Sequence, residues 1–168
     1  YDHEEREFRG FGRVETTDND SAAIDDTTSL DQHPVLTKTW YHTGAWMRDK
    51  TLHDAFAEEY YPLGWAELPI APGLPAGLNP QEQREAYRAL KGQALRQEVY
   101  ALDGGSLQDE PYTVATHSYA VKLIQPQEGN RFASFISYSE QGLNFSCEHN
   151  TADPRVAHSI THAIDEYG

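Results

Sequence analysis

Alternating apolar and polar positions dominate the last third of the chain. Over residues 112–124, the odd-numbered side chains, such as Tyr119, form one set and the even-numbered side chains, such as Val114, form the other. Both sets contain apolar residues. A period of two is typical of a β-strand, because successive side chains point to opposite faces of a sheet. Residues 35–43 are rich in β-branched and aromatic side chains, which also favours a strand.

Two further apolar runs, at 132–138 and 143–148, flank the polar sequence Ser-Glu-Gln-Gly. This arrangement predicts a hairpin with a four-residue loop at 139–142. Residues 154–167 fit two periods at once, since their apolar positions alternate as in a strand and also recur at helical spacing. Asp153-Pro154 is a legitimate helix start, so periodicity leaves helix and strand open there.

The clearest helix signal begins at Asn79. Asn is a good N-cap, Pro80 suits the first helical position, and Glu82 completes a capping box. Apolar side chains continue at helical spacing as far as Ala94, and the resulting prediction is a helix over 80–97. The face that this helix would bury consists of Ala86, Tyr87, Leu90 and Ala94.

Three segments lack one clear period. In residues 44–61, four apolar side chains have helical spacing, which makes a short helix possible. Residues 62–80 contain five Pro and three Gly, so we expect an irregular loop over 62–79 that packs on a neighbouring surface. The stretch 15–33 contains six acids and no Lys or Arg, which predicts a solvated acidic loop over 16–33.

Composition changes this picture in one respect. Leu, Ile, Val and Phe account for only 31 of 168 residues and the formal net charge is −14, a combination typical of disordered chains. The 19 aromatic residues favour a folded chain instead, which either has a thin, Tyr-rich core or completes its core against something outside this segment. We therefore expect disorder at most in the loops 16–33 and 62–79.

Charge and the apolar pattern also exclude several functions. A net charge of −14 argues against nucleic-acid binding, because phosphate contacts need clusters of Lys and Arg. No apolar run approaches the roughly 20 residues that a membrane-spanning helix needs. The chain opens on Tyr1 with an acidic, polar sequence unlike a signal peptide, and the missing initiator Met indicates a piece of something longer.

Candidate chemistry is sparse. His158 and His162 would share one face of a helix at metal-ligand spacing, whereas on a strand they lie about 13 Å apart. Asp18-x-Asp20 begins like a calcium loop, yet the Gly and Glu that such a loop requires do not follow. The lone Cys147 excludes an internal disulfide and lacks the positive surroundings of a thiolate nucleophile. We therefore expect no catalytic residue, no metal and no cofactor.

Whole phrases of the sequence are more specific than single residues. The run 84–104 and the phrase Arg9-Gly10-Phe11-Gly12 resemble the B subunits of bacterial insecticidal toxin complexes, whose middle-to-C-terminal region is related to Rhs/YD-repeat and SpvB-like proteins. The resemblance covers essentially the whole chain, and the loops 16–33 and 62–79 are its least similar parts. The phrases that carry it are residues 1–3, 6–15, 39–44, 84–92, 95–104, 111–114, 153–158 and 165–168.

The resemblance implies a fold and a role. B and C subunits of that family form a hollow shell of spiralling β-strands around a toxic C-terminal segment of the C component, and B docks on a pore-forming A subunit. The resemblance implies a single segment, 1–168, that is mainly β with one prominent helix and a β-rich part at 112–167. Its antiparallel strands would form part of a Rhs/YD-repeat-type shell, which favours a strand at 154–167.

The same resemblance implies partners and a location. The partners are the rest of its own B-subunit chain, the C subunit and, through the holotoxin, the A subunit. The implied protein is secreted and non-enzymatic, with no direct membrane insertion and no nucleic acid.

Two other functions stay open on the residues alone. An aromatic-rich glycan- or protein-binding module would use Trp40, Trp46 and Trp65, provided that they line one open face. A hydrolase that uses His and Asp is the third hypothesis, and no spacing in the sequence supports it. Burial of the three Trp side chains would argue against the binding module.

Overall fold

The chain folds around one six-stranded antiparallel sheet. This computed structural model describes residues 6–18, 33–46 and 49–165, and in that part neighbouring strands follow the order of the chain, with two helices inserted after the second strand. The prediction of mainly antiparallel strands is confirmed, and the structure has two helices where the fold prediction named one prominent helix. The elements are β1 (Arg13–Asp18), β2 (Val35–Tyr41), α1 (Asp49–Glu59), α2 (Pro80–Ala89), β3 (Ala94–Ala101), β4 (Thr113–Gln125), β5 (Ser134–Ser146) and β6 (Arg155–Ile160).

Several of the predicted elements are confirmed. Strands at 35–43 and 112–124 appear as β2 and β4, and the short helix possible within 44–61 appears as α1. The segment 154–167, which periodicity leaves open, contains the strand β6.

Helix α2 begins as predicted and ends early. The Asn79 side chain accepts hydrogen bonds from the backbone N–H groups at positions 81 and 82, and Glu82 returns a contact to the Asn79 N–H. The predicted end at 97 is wrong, because Leu90 is the C-cap and Gly92 adopts φ +84°, a left-handed conformation that stops a helix. Ala94 therefore starts β3 instead of extending the helical face.

The predicted hairpin loop at 139–142 is also wrong. Strand β5 runs straight through it, and the reversal between β4 and β5 lies at 126–133. Ser118 pairs with Gln141 and Tyr119 with Ser139, so Glu140 is an extra residue in β5. Its polar sequence forms a β-bulge rather than a turn, because a bulge leaves one residue out of the ladder without reversing the chain.

Strand β1 extends into the segment that the sequence predicts to be an acidic loop. Residues 16–18 complete β1 and pair with β2, where Asp18 lies opposite Val35. The rest of the predicted loop, at 19–32, lies outside the described residues. The prediction for 16–33 is therefore wrong at its start and is not addressed beyond Asp18.

The connection from α1 to α2 passes from one face of the sheet to the other. Leu63 belongs to the apolar cluster around Val114, whereas Leu74 packs against the cluster that contains Tyr119. Val114 and Tyr119 are five positions apart on β4, so their side chains point to opposite faces of the sheet. The crossing occurs at Gly73, whose N–H donates to the Tyr119 carbonyl (2.9 Å) and whose carbonyl accepts from the N–H at position 121 (2.8 Å). The predicted Pro-rich loop 62–79 thus covers a stretch of β4 edge that β3 leaves free.

The long connection between β2 and β3, residues 42–93, leaves and rejoins the sheet at adjacent positions. The His42 N–H donates to the Gln93 carbonyl and the Gly92 N–H donates to the His42 carbonyl, both at 2.9 Å. Strands β2 and β3 therefore stay paired although two helices and a long loop lie between them.

Candidate functional site

A buried charge cluster lies in the middle of the sheet. Arg96 and Glu98 are neighbours on one face of β3, and only 1% of each side chain is exposed. Arg96 Nε donates to Glu98 Oε1 at 2.7 Å, and the Tyr100 hydroxyl donates to Glu98 Oε2 at 2.6 Å. Burial, then the bond to Glu98, raises the pKa of Tyr100 well above its usual range, so its hydroxyl stays protonated.

The cluster fastens the chain that follows α1 onto the sheet. Arg96 donates to Glu67 Oε1 (2.9 Å) and to the Tyr61 carbonyl (2.7 Å), while Glu98 Oε1 accepts from the Tyr61 N–H (2.9 Å). The Arg96 guanidinium also lies 4.7 Å from the centroid of the Tyr60 ring. Each side-chain nitrogen of Arg96 and each carboxylate oxygen of Glu98 has at least one protein partner, which is the arrangement of a structural staple rather than of a reacting centre.

Helix α1 is attached at its C-terminal end through Trp40. The Trp40 indole is fully buried, donates to Glu59 Oε2 at 3.0 Å and meets the Tyr60 ring edge-on at 5.0 Å. Arg13 of β1 donates to the same Glu59 oxygen at 3.0 Å. Phe56 of α1 completes the contact by packing closely over Gly12.

The first described residues are held by a second charged group. The Glu7 carboxylate accepts from Lys91 at 2.9 Å and lies 3.5 Å from both Arg9 and Arg88. The hydrogen bond from Lys91 is the main cause that holds the pKa of Glu7 below its ordinary value, against a smaller opposing effect of burial. Because Lys91 follows α2, this contact ties residues 6–12 to the end of that helix.

Both outer strands of the sheet are open. Every residue of β1 and of β6 is exposed, and neither strand has a second neighbour among the described residues. The Thr161 N–H donates towards β5, so by the alternation of an antiparallel ladder the N–H groups of Val156, His158 and Ile160 point away from the sheet. An unpaired row of this kind is a template for a further strand.

Apolar side chains accompany the two open edges. Val156 and Ile160 of β6 are 51% and 52% exposed. At the opposite edge of the sheet, Phe8 and Phe11 precede β1 and are exposed. Their rings stack edge-to-face with centroids 5.7 Å apart. Exposed apolar groups beside unpaired backbone are typical of a surface that can pair with a further strand.

The candidate metal and nucleophile residues do not converge. His158 lies on β6, where its Nε2 is 3.1 Å from Gln141 Oε1, and His162 lies beyond the end of that strand. Asp18 belongs to β1, and Asp20 lies outside the described residues. Cys147 is buried, and burial raises the pKa of its thiol. Within 6–18, 33–46 and 49–165, no group of three or more His, Cys, Asp or Glu is placed to hold a metal ion.

The three Trp residues differ in exposure. Trp40 is fully buried, Trp46 is half-buried with its indole donating to Gln83, and Trp65 is 47% exposed with its indole donating to the Thr151 carbonyl. A glycan-binding face would need all three rings to be accessible. Trp40 cannot serve in one.

Sequence reasoning missed a buried pair of histidines. His42, just after β2, and His53 of α1 are 1% and 7% exposed, and their ring centroids lie 5.1 Å apart. Burial lowers the pKa of His42 to about 3 and that of His53 to about 4. No sequence pattern marks the pair, because its members come from different elements that only the tertiary fold brings together.

No helix in the described part of the chain is long and apolar enough to cross a membrane.

Comparison with protein families gives two matches that divide the chain. Residues 1–44 match the middle/N-terminal region of the insecticide toxin TcdB, and residues 85–168 match its middle/C-terminal region. Strand β2 thus lies in the first matched region and β3 in the second, and the two strands pair. No sequence among curated proteins matches the chain.

Solved structures similar to this chain are toxin-complex assemblies. A crystal structure of TcdB2-TccC3 without the hypervariable C-terminal region is 31% identical with a TM-score of 0.84 and is matched over 100% of this chain. A structure of the Photorhabdus luminescens Tc holotoxin pore, with a point substitution in TccC3, is 31% identical with a TM-score of 0.82 over 98% of this chain. This chain spans 8% of the length of either matched chain.

Proposed function

The chain belongs to the family of TcdB insecticide toxins, and from that membership we propose that it is a structural, non-enzymatic segment of a B-subunit shell. In this role its sheet forms part of a wall that encapsulates a cytotoxic C-terminal effector. The whole of 1–168 would act as one segment of that wall.

The two open edges of the sheet carry this proposal. A sheet with unpaired strands at both ends can continue into neighbouring strands on either side, as a wall built from many strands requires. The exposed apolar side chains at β6 and before β1 would be covered in the same step. The low content of aliphatic side chains agrees with a sheet whose apolar contacts are completed by neighbouring parts of the wall.

The internal contacts support a scaffold rather than a catalyst. Arg96 and Glu98 are satisfied by main-chain and side-chain partners, and the staple they form holds the covering loop on the sheet. Such a cluster makes a wall segment stiff without offering a reactive group to a substrate.

The partners follow from the assemblies in which similar chains occur. The similar structures include TcdB2 together with TccC3, and another is a Tc holotoxin pore with a substitution in TccC3. We therefore propose as partners the remainder of the B-subunit chain, a C subunit and, through the holotoxin, a pore-forming A subunit. A secreted location belongs to the same proposal.

The open edge of β6 offers a direct test in the full-length B subunit. His158→Pro removes an N–H that points away from the sheet, while His158→Ala removes the same imidazole and keeps the N–H. Each variant is produced together with the C component, and protease protection of the C-terminal effector is measured. We expect protection with His158→Ala and cleavage of the effector with His158→Pro.

Equal protection in the two variants would overturn the role of the β6 edge in the wall. Loss of protection in both would assign the effect to the imidazole instead of the backbone. Circular dichroism of each variant shows whether the subunit itself has folded.

A further inference from the structure

Two buried imidazoles lie at the junction between α1 and the sheet. His42 and His53 meet edge-on with ring centroids 5.1 Å apart, and the Tyr119 ring also meets His42 edge-on at 5.8 Å. In the described part of the chain, neither ring nitrogen of His42 has a hydrogen-bond partner. The site can therefore hold a neutral His42, whereas a charged ring would stay without a partner.

Around His42, the described residues offer little to balance a positive charge. From α1, Asp54 attracts a proton towards His53, yet its carboxylate is already paired with Lys50 at 2.7 Å on the exposed side of the helix. From β4, the Tyr119 hydroxyl is engaged with the Ala94 carbonyl at 3.0 Å. His53 itself disfavours charge on His42, because two imidazolium ions at this separation repel each other.

A second attachment of α1 lies at its C-terminal end, where Trp40 and Arg13 both donate to Glu59. The imidazole junction is made of histidines, the side chains whose charge ordinarily changes between roughly pH 5 and pH 8.

We propose that His42 and His53 form an acid-sensitive latch, which holds α1 on the sheet at neutral pH and releases it when the pair is protonated. Release frees α1 and uncovers Trp40, which the helix and the Tyr60 ring otherwise bury. The wall of the sheet, formed by β3 to β5, keeps its strand pairing during this step. The latch does not depend on the shell function proposed above.

The direction of the pH effect follows from the two states. The closed state binds fewer protons than the open state, because burial depresses the pKa of each ring below the 6.5 of a free imidazole. Closing is therefore weakened progressively as pH falls below 6.5, down to about pH 4. Between pH 7 and pH 5 the opening equilibrium rises by up to about 25-fold for each histidine.

Hydrogen exchange read by mass spectrometry tests the latch in the full-length protein. Protection factors, which divide out the intrinsic pH dependence of exchange, are compared at pH 7 and pH 5 for peptides from α1 and from α2. We expect α1 to lose at least tenfold in protection while α2 stays within twofold. An unchanged α1 in the wild-type protein overturns the proposal, whichever variants fold.

Three variants assign the effect to the pair. His42→Phe and His53→Gln each remove one titrating ring, and His158→Gln removes an exposed histidine as the matched control. We expect each of the first two variants to reduce the pH dependence of α1 exchange, and the control to retain all of it. An undiminished loss of protection in His53→Gln, which keeps a polar side chain in place, would also overturn the proposal.

Discussion

Arg96 and Glu98 lie two residues apart on β3, share a hydrogen bond of 2.7 Å and are almost completely withdrawn from water. The alternation of a strand places both side chains on one face, where each also binds the loop that follows α1. At this pair, polar interactions rather than apolar packing join the covering chain to the sheet.

Breaking this pair from one side is expected to be costly. Arg96→Leu leaves the Glu98 carboxylate buried without its cation, which lowers the free energy of unfolding by about 3–5 kcal/mol. The double variant Arg96→Leu with Glu98→Leu removes both charges, so we expect it to be more stable than the single variant. Urea unfolding measures both, and a double variant that is the less stable of the two would contradict this account.

The crossing of the Pro-rich loop predicts a compensating pair of substitutions. A Cβ added at Gly73 would lie 3.1 Å from Ala120 Cβ, so Gly73→Ala crowds the β4 edge and costs about 1–3 kcal/mol of unfolding free energy. Adding Ala120→Gly removes the atom in the way, and we expect part of the loss to be recovered. Thermal unfolding of the single and double variants checks this, and two additive losses would contradict it.

The end of α2 predicts a graded series at Gly92. Its φ of +84° is strained for a residue with a Cβ, so Gly92→Ala should lower the free energy of unfolding by about 1–2 kcal/mol. Asn tolerates this conformation better, and we expect Gly92→Asn to lose less. Should Gly92→Ala stabilise the protein in chemical denaturation, the left-handed turn would not be what ends the helix.

The contact at Glu7 predicts sensitivity to acid and to salt. Its depressed pKa means that its contribution is present above the ordinary value of 4.5 and is lost as pH falls below it. Because the side chain is about one-third exposed, salt screens the contact. Hydrogen exchange over residues 6–12 should rise with Glu7→Gln or with added salt, and a salt-independent wild type would argue against an ionic attachment.

The sequence predicts the parts of the fold that depend on local signals. The start of α2 is set by Asn79, Pro80 and Glu82 acting on their own neighbours, and the alternation that predicts β4 lies within the strand itself. The end of α2 could not be predicted in this way, because Ala94 continues the helical spacing beyond Gly92. The left-handed turn at Gly92 and the pairing of β3 with β2 together decide against it.

The candidate site depends on contacts that no local pattern records. Arg-x-Glu on a strand has the same sequence appearance whether the face is exposed or buried, so the role of Arg96 and Glu98 is not visible before the covering loop is placed. The same is true of His42 and His53, which lie on different elements. The open edges follow from the strand order, which sequence alone does not predict.

The ends of the connection between β2 and β3 are joined by hydrogen bonds, which affects how the length of this connection can vary within the family. The hydrogen bonds between His42 and the Gly92-Gln93 peptide bring entry and exit within one ladder step. Residues could thus be added or removed between these points without shifting the register of the two strands, and doubling such a loop costs only about 0.6 kcal/mol in chain entropy. The stretch 45–84, which neither family region matches, lies inside these bounds. Relatives can therefore differ in the helices and loop that pack on the sheet while they keep the pairing of its strands.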